Sequence, residues 1–135
     1  MSAGYSGAPL AKKLGIKEGA RVAFVDAPDG FDETVAPLPD GVKLGRDAVP
    51  GLDVVVFFTT ERTALEARIE ALMAAIAPNG AVWIGWPKRA SGVETDMTED
   101  VVRDVALPLG LVDNKVCAID ETWSGLRLVI RLENR

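Results

Sequence analysis

The chain has 135 residues with no histidine and a single cysteine, and fifteen Lys and Arg against twenty Asp and Glu give a formal net charge of -5. That composition excludes a Ser-His-Asp or Cys-His catalytic pair, a two-His zinc motif, an intrachain disulfide and a thiolate cluster for metal. The acidic balance disfavours broad electrostatic binding to nucleic acid, while 48% hydrophobic and 26% charged residues describe a globular domain rather than a disordered chain.

Residues 1–8 are small and polar and read as a flexible N-terminal segment, with no basic-then-apolar signal sequence; residues 9–135 read as a single domain. The longest apolar run, Val54 to Phe58, is far too short to span a membrane, so a cytoplasmic protein is expected. Pro9 suits the first turn of a short helix that continues through Leu14 and stops at Gly15. Ala20 to Asp26 forms a strand, closed by the turn Ala27-Pro28-Asp29-Gly30. Phe31 to Ala36 supports one helical turn before Pro37 and Pro39, and Gly41 to Leu44 a short strand.

Leu52 to Phe58 is a continuous apolar strand of the kind covered on both faces in a parallel sheet. Thr60 or Thr63 is placed to cap the next helix, with Thr63 and Glu66 in capping-box spacing. Leu65, Ile69, Leu72, Met73 and Ile76 share one face of that helix, and Pro78-Asn79-Gly80 ends it before the strand Ala81 to Trp86. Asp96 and Glu99 have capping-box spacing ahead of a helix bearing Val101, Val102 and Val105, which ends near Pro108-Leu109-Gly110. Strands from Val112 to Ile119 and Leu126 to Leu132 are joined by a short turn, which forces antiparallel pairing. The pattern predicts a three-layer, Rossmann-like α/β fold: a mostly parallel sheet with a C-terminal antiparallel hairpin and helices on both faces.

Two resemblances follow from these stretches. The run from Leu52 through Leu132, with its Pro-Asn-Gly entry to a strand and closing antiparallel pair, resembles the second half of a class I methyltransferase-like domain. Gly4-Tyr5-Ser6-Gly7 with Lys12 to Gly15, the stretch from Trp86-Pro87-Lys88 through Thr95-Asp96, and that from Val112 to Cys117 through Trp123 to Arg127 are together similar to a bacterial family of small domains of unknown function. The first resemblance implies a glycine-rich turn after the first strand and an acid after the second. The turn here is Asp26-Ala27-Pro28-Asp29-Gly30, with one glycine and a proline that removes an N–H donor, and Leu44 is followed by Gly45-Arg46 before Asp47. Both departures point to a methyltransferase-like scaffold that carries no S-adenosylmethionine (SAM) or dinucleotide cofactor.

Several residues are candidates for a site. Lys88, Arg89 and Ser91 leave a parallel strand at its carboxyl end, where open α/β sheets place ligands, and suit a phosphate or carboxylate; the plainer reading is solvated cations paired with Asp96, Glu99 or Asp100. Asp26 and Asp29 are either a carboxylate pair or turn-forming aspartates, and Thr59 and Thr60 either face the crevice or cap a helix. Cys117, inside a strand with no base to activate it, reads as a structural thiol. Trp83 and Trp86 should face opposite sides of the sheet, so that one is core while the other reaches the crevice or a partner. Trp123 falls in the final turn, an exposed place for a large ring, and either marks an interface together with Arg127 on the last strand or packs over the hairpin. Lys12, Lys13 and Lys17 read as a solvated basic face rather than a nucleic-acid patch. The expectation is a non-catalytic α/β protein that forms a homodimer and binds a small anionic ligand or a protein partner, without a metal, a cofactor, nucleic acid or a membrane. The alternative is a small methyltransferase-like transferase acting on a nucleotide-like or other small substrate.

Overall fold

The computed structural model describes residues 9–135, so the N-terminal segment 1–8 lies outside the described residues. Four short-to-medium helices and six strands follow one another: α1 (Leu10–Lys13), β1 (Arg21–Val25), α2 (Phe31–Val35), β2 (Lys43–Gly45), β3 (Leu52–Phe58), α3 (Arg62–Ala75), β4 (Ile76–Pro87), α4 (Glu99–Ala106), β5 (Leu111–Ala118) and β6 (Trp123–Ile130). All six strands form one sheet in the order β2-β1-β3-β4-β6-β5. The first four run parallel, and β6 is antiparallel to both β4 and β5. This is the mostly parallel sheet with an antiparallel finish that the residue pattern predicts. Among the described residues no helix is long and apolar enough to cross a membrane.

The central strands lack polar alternation because both their faces are covered. On one side Leu65, Ile69 and Leu72 of α3 and Val102 and Ala106 of α4 pack on Val55, Phe57, Val82, Ile84, Leu126 and Leu128. On the other, Leu10 and Leu14, with Phe31 and Val35 of α2, pack on Val22, Phe24, Val56, Phe58 and Trp83. Each large apolar side chain removed from water in this way contributes about 1.5–3 kcal/mol. Trp83 and Trp86 fall in the two opposite cores, as their spacing requires. The Trp83 indole N–H donates to the Leu14 carbonyl at 2.9 Å, which ties the end of α1 to the middle of the sheet.

Several boundaries differ from the expected ones, each for a physical reason. Helix α3 stops at Ala75, and Ile76 opens β4 in extended conformation. Pro78-Asn79-Gly80 is therefore an irregularity inside a strand rather than a helix-ending turn. Leu52 pairs with Ile76 and Val54 with Ala81, so three extra residues are accommodated there. Gly80 fits because a Cβ at that position would lie 2.9 Å from the Leu52 carbonyl oxygen.

The helix caps also move. Neither Thr60 nor Thr63 caps α3; the Arg62 N–H instead donates to Asp96 Oδ1 at 2.8 Å, across 34 positions. Asp96 therefore does not form a box with Glu99. Thr98 caps α4 by accepting from the Val101 N–H. In the hairpin, Trp123 is the first residue of β6 rather than part of the turn, and Leu132 lies beyond the strand, 80% exposed. Strand β5 forms one edge of the sheet and carries a bulge between Asp113 and Lys115.

Candidate functional site

The chain leaves β1 toward β2 on one side of the sheet and later leaves β3 toward β4 on the other, so the direction of winding reverses between β1 and β3. Ligands of open α/β sheets sit outside the carboxyl ends of the strands at such a reversal. Here that position is packed. Gly30, at φ +85°, turns the chain so that Phe31 enters the core at the head of α2, where it is 2% exposed. Its ring meets Phe24 edge-on at 4.8 Å and Phe58 at 4.8 Å, and Phe58 in turn meets Trp123 at 5.3 Å. Such pairs add about 0.5–1.5 kcal/mol each beyond their buried area. Four aromatic rings thus run along the carboxyl end of the sheet from β1 to β6. Trp123, expected to be exposed in a turn, is half-buried as the last ring of that row.

The candidate residues around the reversal do not converge. Asp26, at φ +56°, lies 3.7 Å from Arg68 of α3, whose guanidinium also sits over the Phe57 ring. Asp29 is exposed and has no ion-pair partner among the described residues. Among the described residues no group of three or more His, Cys, Asp or Glu is placed to hold a metal ion. Thr59 is buried, and its hydroxyl oxygen accepts from the Glu61 N–H at 3.0 Å; it shapes the turn after β3 and caps no helix. After β2, Arg46 reaches back to α2 and donates to Asp32 at 2.9 Å. The Arg46 hydrogen bond holds the Asp32 carboxyl below its ordinary pKa, and Asp32 in turn raises that of Arg46.

One strand further on, the carboxyl end of β4 is open. A cavity of about 630 Å³ lies between the β4–α4 loop and the start of β6, with Trp86, Lys88, Arg89, Glu94, Met97 and Ser124 among its walls. Its volume falls in the range of small-molecule sites. The loop that forms it is braced. Ser91 Oγ donates to the Lys88 carbonyl at 2.6 Å and accepts from the Val93 N–H, and Thr95 Oγ1 donates to the Thr60 carbonyl at 2.6 Å. With Asp96 on the Arg62 N–H, these bonds fasten the loop to the turn after β3.

The three residues expected on this loop have different roles. Ser91 shapes the turn and is not a wall of the cavity. Lys88 lines the cavity, yet its ammonium donates to the Asp120 carbonyl at 2.8 Å. Arg89 also lines it, is exposed, and has no acceptor among the described residues. The acids expected to neutralise these cations are engaged elsewhere: Asp96 caps α3, and Glu99 and Asp100 pair with Arg103. Arg103 also binds Asp113 at 3.0 Å and is raised above its ordinary pKa first by that bond and then by Glu99.

Two further walls, Glu94 and Ser124, carry no sign of a binding role in the sequence, whereas one of Trp83 and Trp86 is expected to reach the crevice, and it is Trp86 that lines the cavity. Trp86 is 6% exposed, and neither its indole N–H nor the Ser124 hydroxyl has a protein partner among the described residues. Glu94 is exposed and likewise unpaired among them. Trp86 and Ser124 become neighbours because they face each other in the β4–β6 ladder, a register that only the folded sheet reveals.

The interface candidates lie on the opposite face from α3 and α4. Arg127 pairs in register with Trp83 and with Lys115, and lines a second, smaller cavity with Lys17, Asp53 and Asn79 near the amino ends of the strands. Burial, with Arg135 as the smaller cause, lowers its pKa. Cys117 packs against the α1–α2 core, and burial pushes its thiol pKa up, as suits a structural cysteine.

No protein-family model matches the chain, and no curated protein matches it. Solved structures do. A SAM-dependent methyltransferase from Aquifex aeolicus aligns with 89% of this chain and 87% of its own at a TM-score of 0.62 and 16% identity. The PH0226 protein from Pyrococcus horikoshii OT3 aligns with 91% of this chain and 87% of its own, at 0.63 and 11%. The Methanococcus jannaschii fibrillarin pre-rRNA processing protein aligns with 85% of this chain and 68% of its own, at 0.62 and 13%. Likeness at such identities establishes the architecture and nothing finer: the chain has the Rossmann-like α/β fold of class I methyltransferases.

Proposed function

We propose that this protein uses a methyltransferase-like scaffold without methyl-transfer chemistry, and binds a small ligand bearing an anionic group in the cavity at the carboxyl end of β4. One observation carries the reading. Trp86, Ser124 and Arg89 line a single cavity, and their indole N–H, hydroxyl and guanidinium have no acceptor among the described residues. All three donors remain open to solvent, and a carboxylate or phosphate placed among them would take charge-assisted hydrogen bonds in exchange for water.

The cofactor that the fold implies fits poorly where the winding reverses. Phe31 and Phe58 occupy that region with their rings, Pro28 offers no N–H, and the position following β2 carries Arg46 clasped to Asp32. The turn after β1 holds a single glycine, Gly30, and the first acid after β2 is Asp47, one position beyond Arg46. These residues favour the non-catalytic reading over the transferase one.

Thermal unfolding with inorganic phosphate, acetate, SAM and S-adenosylhomocysteine separates the two. Stabilisation by the simple anions that is lost in Arg89→Ala, with no response to either adenosyl compound, is the expected result. Stabilisation by the adenosyl compounds that persists in Arg89→Ala would support the transferase.

Self-association is a separate element of the proposal. Among the described residues strand β5 is an edge with no further strand beside it, Val116 on it is 53% exposed, and an unpaired edge is a template for a second copy. A dimer mass by sedimentation at micromolar concentration is expected, and a monomer mass retires it.

A further inference from the structure

The cavity that holds the unpaired donors also holds an unpaired acid. Of its four charged walls, Lys88 is committed to the Asp120 carbonyl and Glu99 to Arg103. Arg89 and Glu94 remain, one of each sign, and they do not pair with each other across the space they share. The backbone that carries them is held by the Ser91 and Thr95 bonds, which fix where along the loop each side chain starts. Trp86, Val93 and Met97 add apolar surface to the same cavity.

We infer that the ligand is a zwitterion with an apolar side chain, of the class of free α-amino acids. The inference rests on the anion-binding reading just given and narrows it. The carboxylate meets Arg89, Trp86 N–H and Ser124 O–H; the ammonium meets Glu94; the side chain lies along Trp86 and Met97. Glu94 also supplies discrimination, because a ligand with only negative charge would be repelled by a carboxylate that nothing neutralises. Inorganic phosphate, with roughly two charges and no apolar part, satisfies the donors and leaves both Glu94 and the apolar wall without a partner. A cavity of about 630 Å³ is ample for any amino acid of this kind.

The test uses the full chain and a matched set of probes: L-leucine, 4-methylpentanoate (the same skeleton without the amine), 3-methylbutylamine (without the carboxylate) and inorganic phosphate. Binding is followed by NMR through the Trp86 indole N–H resonance, which reports on the cavity directly. Leucine is expected to bind about tenfold more tightly than either single-charge analogue, the size of one charge-assisted contact. Glu94→Gln should erase the advantage of leucine over 4-methylpentanoate while leaving 4-methylpentanoate bound, and Arg89→Ala should weaken both. Both substituted residues are exposed, and an unchanged amide spectrum away from the loop confirms that the variants fold. If 4-methylpentanoate or phosphate binds as tightly as leucine, or Glu94→Gln leaves the ratio unchanged, the zwitterion assignment is wrong and the anion site stands. If no carboxylate and no phosphate shifts the Trp86 resonance, both fall together.

Discussion

Two neighbouring positions on the same edge of the sheet have been finished in opposite ways. At the reversal between β1 and β3, a short turn delivers Phe31 straight into the core, where the rings of Phe24 and Phe58 close around it and Trp123 backs Phe58. At the end of β4, the chain instead runs through a braced loop before α4 begins at Glu99, and the cavity there is lined by residues whose donors find no acceptor among the described residues. The fold offers both positions to a ligand. The difference teaches that which of them is used depends on what the first residues after each strand do: an aromatic turned inward spends the position on stability, and a loop fastened at its ends leaves it free.

The largest effect that sharpens this contrast is expected at Phe31. Phe31→Ala removes a ring that is 2% exposed and touches two others, so a loss of about 3–5 kcal/mol is expected from chemical denaturation at neutral pH. A loss below about 1 kcal/mol would mean that the ring is not part of a packed core, since large-to-small changes there cost several times more. The contrast between a closed and an open position would then collapse.

How much of this was legible in the residues differs between the two regions. The strands were plain, because Leu52 to Phe58 and Ala81 to Trp86 are apolar without alternation, which only coverage on both faces explains. The loop after β4 could be placed at a strand's carboxyl end, and two of its three expected residues, Lys88 and Arg89, do line the cavity. Ser124 and the Trp86 N–H could not be joined to them, since they meet through the β4–β6 register and not through spacing. The closure at Phe31 was illegible for a related reason. A phenylalanine at the head of a one-turn helix carries no local sign of which rings it will touch. Helix caps failed most visibly: local spacing nominated Thr63 and Glu66 for α3, whereas the acceptor is Asp96, fastened from the loop of the open cavity.

That long-range cap supplies an intermediate test. Asp96→Ala removes the acceptor for the Arg62 N–H and one of the ties between the β4–α4 loop and the turn after β3. Loss of an N-terminal cap costs about 1 kcal/mol, measurable as a lower urea midpoint. The same variant should weaken ligand binding at the cavity although Asp96 is not among its walls, because the loop fixes where the Arg89 and Glu94 side chains start. A variant with the stability loss and undiminished binding would show that the loop is held without this tie, and that the openness of the cavity owes nothing to the cap.

The smallest expected effect lies beside the closed position. Asp32 at the start of α2 is clasped by Arg46 from the end of β2, and both side chains are about half exposed. The Arg46 hydrogen bond places the folded-state pKa of Asp32 below its ordinary value of 3.8, so the native state binds fewer protons than the unfolded chain as the pH falls toward that value. The stabilisation is accordingly complete above the ordinary carboxylate range and disappears as the pH drops through the lowered pKa. Urea midpoints of the wild type and Asp32→Asn, compared from pH 6 down to pH 2, should converge at the acid end. The gap at neutral pH should be small and should shrink in 1 M salt, where charges are screened within about 3 Å. Parallel profiles with a constant gap would assign the effect to helix α2 itself rather than to the clasp. The aromatic row would then be what keeps the β1–β3 position shut, with no help from the charged pair at its side.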